Sequence, residues 1–434
     1  MAKLKRDLNL LEVVLSGIGI ILGAGIYVLI GSAAGIAGNA VWVSFLFGAA
    51  IAAFTGLSYA ELSSLFPKAD AEHEYSKEAF EKGVHKGIGS FIAFITGWMV
   101  IASGIFAGAT VAAGFSKYFV ALFSAPMFFV IIALMIAISY ILFKGVKDSA
   151  IAASLMTLIE GGGLIIIIIV AIPFFGSVDY FYSPNGIQGI LSAGALIFFA
   201  YLGFEEIVRL SEETRNPQKT IPKALIISIV VSTILYVLVA LAAVSLMPWD
   251  QLAGSHAPMA EAVSRVLGNT GFIMLSVIAL FSTFNTVLMV LLATSRVSFG
   301  MGRDKSLPKQ LAIVHKKRKT PWVSIAAIAI ISLIFAISFN MDIIAGVTDF
   351  LVFVTFAIIN LAAIVLRYKM PKKKRVFKIP LNAGKMPVFP LLGLITSILL
   401  MYNVHPESAL YGLLVILAGL LFYGFYHSFG KKTR

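Results

Sequence analysis

Long apolar runs alternate with short polar segments from one end of the chain to the other. Twelve runs can be marked, at about residues 9–36, 40–66, 88–120, 125–143, 150–175, 189–208, 222–247, 268–299, 321–339, 343–366, 386–403 and 408–428. Each is near or above the ~20 residues that carry a helix across ~30 Å of hydrocarbon. The pattern predicts an all-α polytopic membrane protein, with twelve transmembrane helices in one domain over residues 1–434. The first run is unusual. Between Ser16 and Tyr27 it places Gly17, Gly19, Gly23 and Gly25. Glycine costs a helix interior roughly 1 kcal/mol relative to alanine. Opened backbone in lipid is tolerated only where protein or a polar cavity satisfies it. Two readings stand: Gly19 and Gly23 let a neighbouring helix pack closely, or the helix unwinds here and turns its backbone toward a solute.

The sixth run bears on that choice. In Ser192–Glu206, small residues flank the cluster Phe198-Phe199-Ala200-Tyr201, and Gly203 is followed by Glu205 and Glu206. Four continuous runs separate it from the first. The layout is therefore two sets of five, 9–175 and 189–366, each opening with an interrupted helix, followed by two additional helices at 386–428. Interrupted spans in corresponding positions of two halves point to a transporter site at an inverted-repeat interface. Taken together the two runs favour unwinding at both. Half-helix ends supply what a zwitterion needs: free N–H groups for a carboxylate and free carbonyls for an ammonium.

Composition agrees. The 434 residues are 59% hydrophobic and 13% charged, against about 25% charged in soluble domains. The net charge of +13 is concentrated in loops. Of the 34 Lys and Arg, only Lys117 and Arg265 fall outside the segments and flanking helix end assigned to one side. Those segments hold Lys3, Lys5 and Arg6, then Lys68, Lys77, Lys82 and Lys86, then Lys144 and Lys147. Arg209, Arg215, Lys219 and Lys223 follow, then Arg303 to Lys319, Arg367 to Lys385 and the tail. The asymmetry predicts cytoplasmic N- and C-termini in a cell membrane, with the first run retained as a span. The basic clusters His315–Lys319 and Lys372–Lys378 face anionic lipid head groups, and no nucleic-acid partner is implied. There are no cysteines, which excludes disulfides and thiolate sites.

The string Gly23-Ala24-Gly25-Ile26-Tyr27 resembles the first-helix motif of the amino acid–polyamine–organocation superfamily. Phe198-Phe199-Ala200-Tyr201-Leu202-Gly203-Phe204-Glu205, with Glu212-Glu213-Thr214-Arg215-Asn216-Pro217 and Ile221-Pro222, resembles its sixth helix and the segment after it. Tyr59-Ala60-Glu61-Leu62 with Phe66-Pro67-Lys68 resembles the end of its second helix. The resemblance covers essentially the whole chain. It implies a LeuT-like fold, a 5+5 inverted repeat and alternating access. By position, Ala24 and Gly25 offer N–H groups to a substrate carboxylate, with Gly23 and Ile26 beside them. Ile21, with Ile20 nearby, offers a carbonyl to its amine. Phe199 gates the substrate from within the cluster Phe198, Ala200 and Tyr201. Gly203 permits the break, and Glu205 lies just beyond it. Ala69-Asp70-Ala71-Glu72-His73-Glu74 departs from the small, glycine-containing residues of relatives.

Glu160, in Thr157–Gly163, lies near the middle of the fifth run. A charge at mid-bilayer costs about 2.5–3.5 kcal/mol on insertion scales, which makes it a functional candidate. A carboxyl protonated in one conformation and ionised in another couples proton movement to transport. The resemblance places it where some relatives carry a lysine and others bind a cation, near the Gly19 and Leu22 carbonyls with Ser282 and Asn285. H+ is the expected co-substrate, with Na+ second; a structural acid and a substrate-side role are the alternatives for Glu160. Glu61, Arg296 and Arg367 read as snorkelling groups at span ends, and Asp349, near the outer end of the tenth span, as a solvated end residue, with a place lining the outer vestibule as the alternative. His73 with Glu72 and Glu74 lacks metal-ligand spacing. The sequence has no ATP-binding Gly-x-x-x-x-Gly-Lys motif and no hydrolase or metalloprotease motif. The function expected is secondary transport of a neutral amino acid, proton-coupled or by exchange, without a cofactor. A polyamine or organic-cation carrier, a channel and a membrane enzyme are the rivals. Oligomeric state stays open.

Overall fold

The computed structural model describes residues 8–67, 71–80, 88–144, 149–212 and 214–430. Lys3, Lys5, Arg6, Lys68, Ala69, Asp70, Lys82, Lys86, Lys147, Glu213 and the basic tail after residue 430 lie outside the described residues, as do the side chains of Ala71, Arg209 and Glu212.

The chain is nearly all helical. Its helices are α1 (Leu10–Ile21), α2 (Gly25–Ala37), α3 (Val41–Leu65), α4 (Ala71–Phe80), α5 (Ile88–Phe123), α6 (Met127–Lys144), α7 (Ser149–Ala171) and α8 (Gly186–Ile197). They continue with α9 (Glu206–Arg209), α10 (Pro217–Leu246), α11 (Trp249–Gly254), α12 (Pro258–Arg303), α13 (Trp322–Ser338), α14 (Met341–Lys369), α15 (Val388–Asn403) and α16 (Pro406–Gly430). Among the described residues nine helical stretches are long and apolar enough to cross a membrane, and α1, α13 and α15 are shorter apolar helices. Large apolar side chains such as Leu11, Phe129, Ile136, Leu158 and Leu421 stay exposed on the outside of the bundle. That surface is tolerable only in lipid, and the molecule is a multi-pass membrane protein.

Local chemistry sets the helix ends. Asn9 caps α1: its side chain accepts from the Glu12 N–H at 3.1 Å, while its own N–H donates to the Glu12 carboxylate at 2.7 Å. This reciprocal box satisfies two otherwise orphaned donors. Gly38, at φ 68°, reverses the chain between α2 and α3. A second left-handed glycine, Gly268 at φ 62°, divides α12 into a short lead and a long helix from residue 269. α10 starts at Pro217, where a missing N–H costs nothing. A two-residue antiparallel ladder, β1 (Asn382–Ala383) with β2 (Met386–Pro387), precedes α15.

Polar pairs set the register of the bundle. Asn360 of α14 donates to Thr55 at 2.9 Å and accepts from Ser58 at 2.6 Å, both on α3. Seven residues further on, Arg367 donates through two nitrogens to the Glu61 carboxylate. Arg375 adds a bond at 2.8 Å and the Ile379 N–H one at 2.9 Å. Glu61 is 2% exposed and Arg367 7%. These residues therefore do not snorkel. The connection after α14 folds back over the helix ends and removes both side chains from solvent.

Candidate functional site

Both expected interruptions lie where the glycines are. The Leu22 N–H still bonds the Ile18 carbonyl at 2.8 Å, but α1 stops at Ile21 and α2 starts at Gly25, with Val28 to Ala24 its first turn at 3.0 Å. In the sixth run, α8 gives way to a 3-10 turn over Phe198–Tyr201. Leu202 is extended, Gly203 lies at φ 110°, and α9 begins at Glu206. The Gly203 N–H donates to the Glu205 carboxylate at 3.0 Å, so Glu205 braces the turn.

The two breaks meet. A Cβ on Gly25 would stand 2.6 Å from the Cα of Ala200, and one on Gly203 would stand 2.6 Å from Ile20 Cγ2 and 3.2 Å from the Ile20 carbonyl oxygen. Glycine at both positions lets backbone approach backbone. Ala24, Gly25, Ile26, Phe198, Phe199, Ala200 and Tyr201 are all buried around this crossing, and Gly23 stands beside Thr286. The start of α2 brings the N–H groups of Gly25 and Ile26 to a helix terminus, where no internal acceptor exists. Phe198 packs on Phe353 and Phe356, with ring centroids at 4.9 and 5.9 Å, and the Tyr201 hydroxyl donates to the Phe45 carbonyl at 3.0 Å.

Three partners were not foreseen. The Tyr236 hydroxyl of α10 lies within donating reach of the Ile21 carbonyl (2.5 Å) and the Ala200 carbonyl (2.8 Å), one from each break. A phenol has a single proton, so it ties the two interrupted helices through one shared donor. The Ile21 carbonyl, expected to wait for a substrate amine, is thus already engaged. Thr286 of α12 accepts from the Ala24 N–H at 3.0 Å. Asp349, expected to be solvated, is 0% exposed, and both its carboxylate oxygens lack a hydrogen-bond partner of ordinary geometry among the described residues. Asp349 is buried because α14 starts at Met341 and is packed between α3, α5 and α15. Thr286 alone had a local signal: it continues the polar face of Ser282 and Asn285 at helical spacing.

Glu160 is fully buried. One carboxylate oxygen accepts from the Ser282 hydroxyl, while the other has no partner among the described residues. Its backbone carbonyl accepts from the Tyr27 hydroxyl at 2.7 Å, and the Tyr27 carbonyl accepts from Tyr118 at 2.9 Å. A Cβ on Gly19 would meet Thr157 Cγ2 at 2.4 Å, and Leu22 lies 3.8 Å from a Cβ placed on Gly161. Gly19 and Leu22 therefore pack on α7 around the turn that carries Glu160. Asn285 Oδ1 is also buried without a partner among the described residues. Glu160 is thus linked to the first break through Tyr27 and to α12 through Ser282.

A membrane bundle crossed at its core by two opened helices, held by hydroxyls and with no Lys or Arg in either opened stretch, is the architecture of a carrier of small solutes. The chain belongs to the amino acid permease family, whose profile matches residues 8–422. It is 32% identical over 449 residues to the branched-chain amino acid permease BcaP of Bacillus subtilis, covering 98% of this chain and 93% of the relative. It is 30% identical over 444 residues to the methylthioribose transporter of the same organism, covering 98% and 94%. It is 26% identical to the mitochondrial cationic amino acid transporter 3 of Arabidopsis thaliana, over 85% of this chain and 63% of that one. The protein is a permease and not an enzyme.

Proposed function

We propose that the protein is a secondary transporter of neutral amino acids, working by alternating access, with twelve spans arranged as two inverted sets of five and two further helices. The reading rests chiefly on the crossing of the two interrupted helices. There a carboxylate fits the N–H groups that open α2, where the helix dipole favours an anion. Phe199 and its aromatic neighbours close over the side chain. The absence of Lys and Arg from the crossing suits a zwitterion better than an anion. The name of one relative, a branched-chain amino acid permease, favours a branched apolar side chain.

Glu160 is the coupling group in this proposal. Its carboxylate accepts from Ser282 of α12, so a proton gained or lost there changes how α7 holds α12, while the Tyr27 hydroxyl ties the backbone of the same residue to the first break. The test is uptake of radiolabelled leucine by purified protein in liposomes. An inward proton gradient is expected to accelerate uptake, and Glu160→Gln to keep a basal rate without the acceleration. Full acceleration in that variant would refute the coupling role. Leucine uptake that requires internal amino acid and ignores the gradient would instead establish exchange.

A further inference from the structure

The pairing of the helices fixes the depth of Asp349 in the bundle. Asn360 meets Thr55 and Ser58, and Arg367 meets Glu61, so α14 runs parallel to α3. Because the chain reverses at Gly38, α2 runs antiparallel to both. The Ser32 hydroxyl of α2 donates to the Asp342 carboxylate of α14 at 2.9 Å. From that bond, seven residues toward the Glu61 end lead to Gly25 on α2 and to Asp349 on α14. Both steps span about 10 Å at the helical rise, so the two residues lie at nearly one depth. That depth is the crossing itself, since Gly25 touches Ala200. The Phe199 amide, next in the chain, is turned toward the Asp349 carboxylate.

A buried carboxylate faced only by one backbone amide outside ordinary hydrogen-bond geometry is a poor structural element, because burial of an uncompensated polar group costs free energy that packing alone does not return. The nearest guanidinium on its own helix, Arg367, is taken by Glu61 about 27 Å away along the axis at 1.5 Å per residue. Among the described residues no basic side chain bonds the carboxylate, and the crossing is where a solute would bring a cation. In an amino acid the ammonium and the carboxylate share one carbon. A site for both must place an anion and a set of N–H donors at the same level, as Asp349 and the start of α2 are placed.

We propose that Asp349 is a substrate-binding residue that recognises the ammonium group of the transported solute and selects amine-bearing solutes over their hydroxy analogues. This rests on the transport reading above. It is tested in liposomes by competition against labelled leucine, using unlabelled leucine and its α-hydroxy analogue, in wild type, Asp349→Asn, Asp349→Ser and Asp349→Glu. Loss of a charge-assisted hydrogen bond is expected to weaken leucine about tenfold or more in Asp349→Asn and Asp349→Ser. The hydroxy analogue should change little, so that discrimination collapses, and Asp349→Glu should retain part of it. An unchanged ratio between the two ligands, an equal loss of both, or a sodium requirement that disappears with Asp349 would overturn the inference. Failure of all three variants to give folded, monodisperse protein would assign Asp349 a structural role and overturn it as well. A wild type that takes up no amino acid would sink the transport reading and this inference together, whereas Asp349→Asn behaving as wild type sinks the inference alone.

Discussion

At the scale of single residues, the site depends on positions where a side chain would be wrong. Gly203 combines a left-handed φ of 110° with backbone of the other break 3.2 Å from where its Cβ would be. Gly203→Ala should cost about 1–2 kcal/mol from the backbone conformation alone, before Ile20 is displaced. Its expected signature is a lower melting temperature in detergent together with lost leucine uptake; wild-type uptake would show that the crossing can loosen without penalty. Tyr236 is the complementary case, a residue needed for one oxygen. Tyr236→Phe leaves the Ile21 and Ala200 carbonyls without their shared donor, a loss of about 1–3 kcal/mol for buried groups left unpaired. Thermal unfolding of the variant beside the wild type measures it, and an unchanged midpoint would mean that water replaces the hydroxyl.

Between elements, the strongest polar link joins the ends of α3 and α14. Glu61 accepts from Arg367, Arg375 and the Ile379 N–H, so one carboxylate holds two helices and the connection after α14. Removing one partner of a buried pair costs about 3–5 kcal/mol because the other charge is stranded. Glu61→Gln is expected to destabilise the protein by that order, more than Arg375→Gln, which leaves the Arg367 pair in place. Equal destabilisation by the two variants would place the weight of the network in the connection instead. The same contrast explains why these groups read as snorkelling in the chain alone: a charge near a span end is ordinary, and only the folded-back connection buries it.

For the molecule as a whole, the distribution of Lys and Arg predicts orientation. The chain has no cysteine, so single cysteines report sidedness cleanly. Lys117→Cys is expected to react with a membrane-impermeant maleimide in intact cells, and Lys317→Cys only after the membrane is opened. The reverse pattern would invert the topology and with it the proposed direction of the proton gradient. Alternating access adds a further expectation. Cysteine at Thr286, beside the first break, should be labelled more slowly when leucine is present, because closure around substrate hides it; labelling unaffected by leucine would argue against closure at this point.

Much of this protein was legible along the chain because lipid imposes local rules. An apolar run of sufficient length must be a helix, a cluster of glycines marks where that helix is weak, and a carboxylate amid apolar residues stands out. Those rules found the membrane class, the two breaks at Gly23–Gly25 and Phe198–Gly203, and Glu160; the family, and Ser282 as a neighbour of Glu160, came from the resemblance of the motifs. They could not find what closes the site. Tyr236 meets Ile21 across 215 residues of sequence, Thr286 meets Ala24 across 262, and Arg367 meets Glu61 across 306. Nothing local distinguishes a tyrosine that bridges two opened helices from one that faces lipid, or an aspartate at a water-exposed helix end from one sealed in the core. Those assignments belong to the tertiary structure, because a polar atom's meaning in a membrane depends on which other chain segment reaches it first.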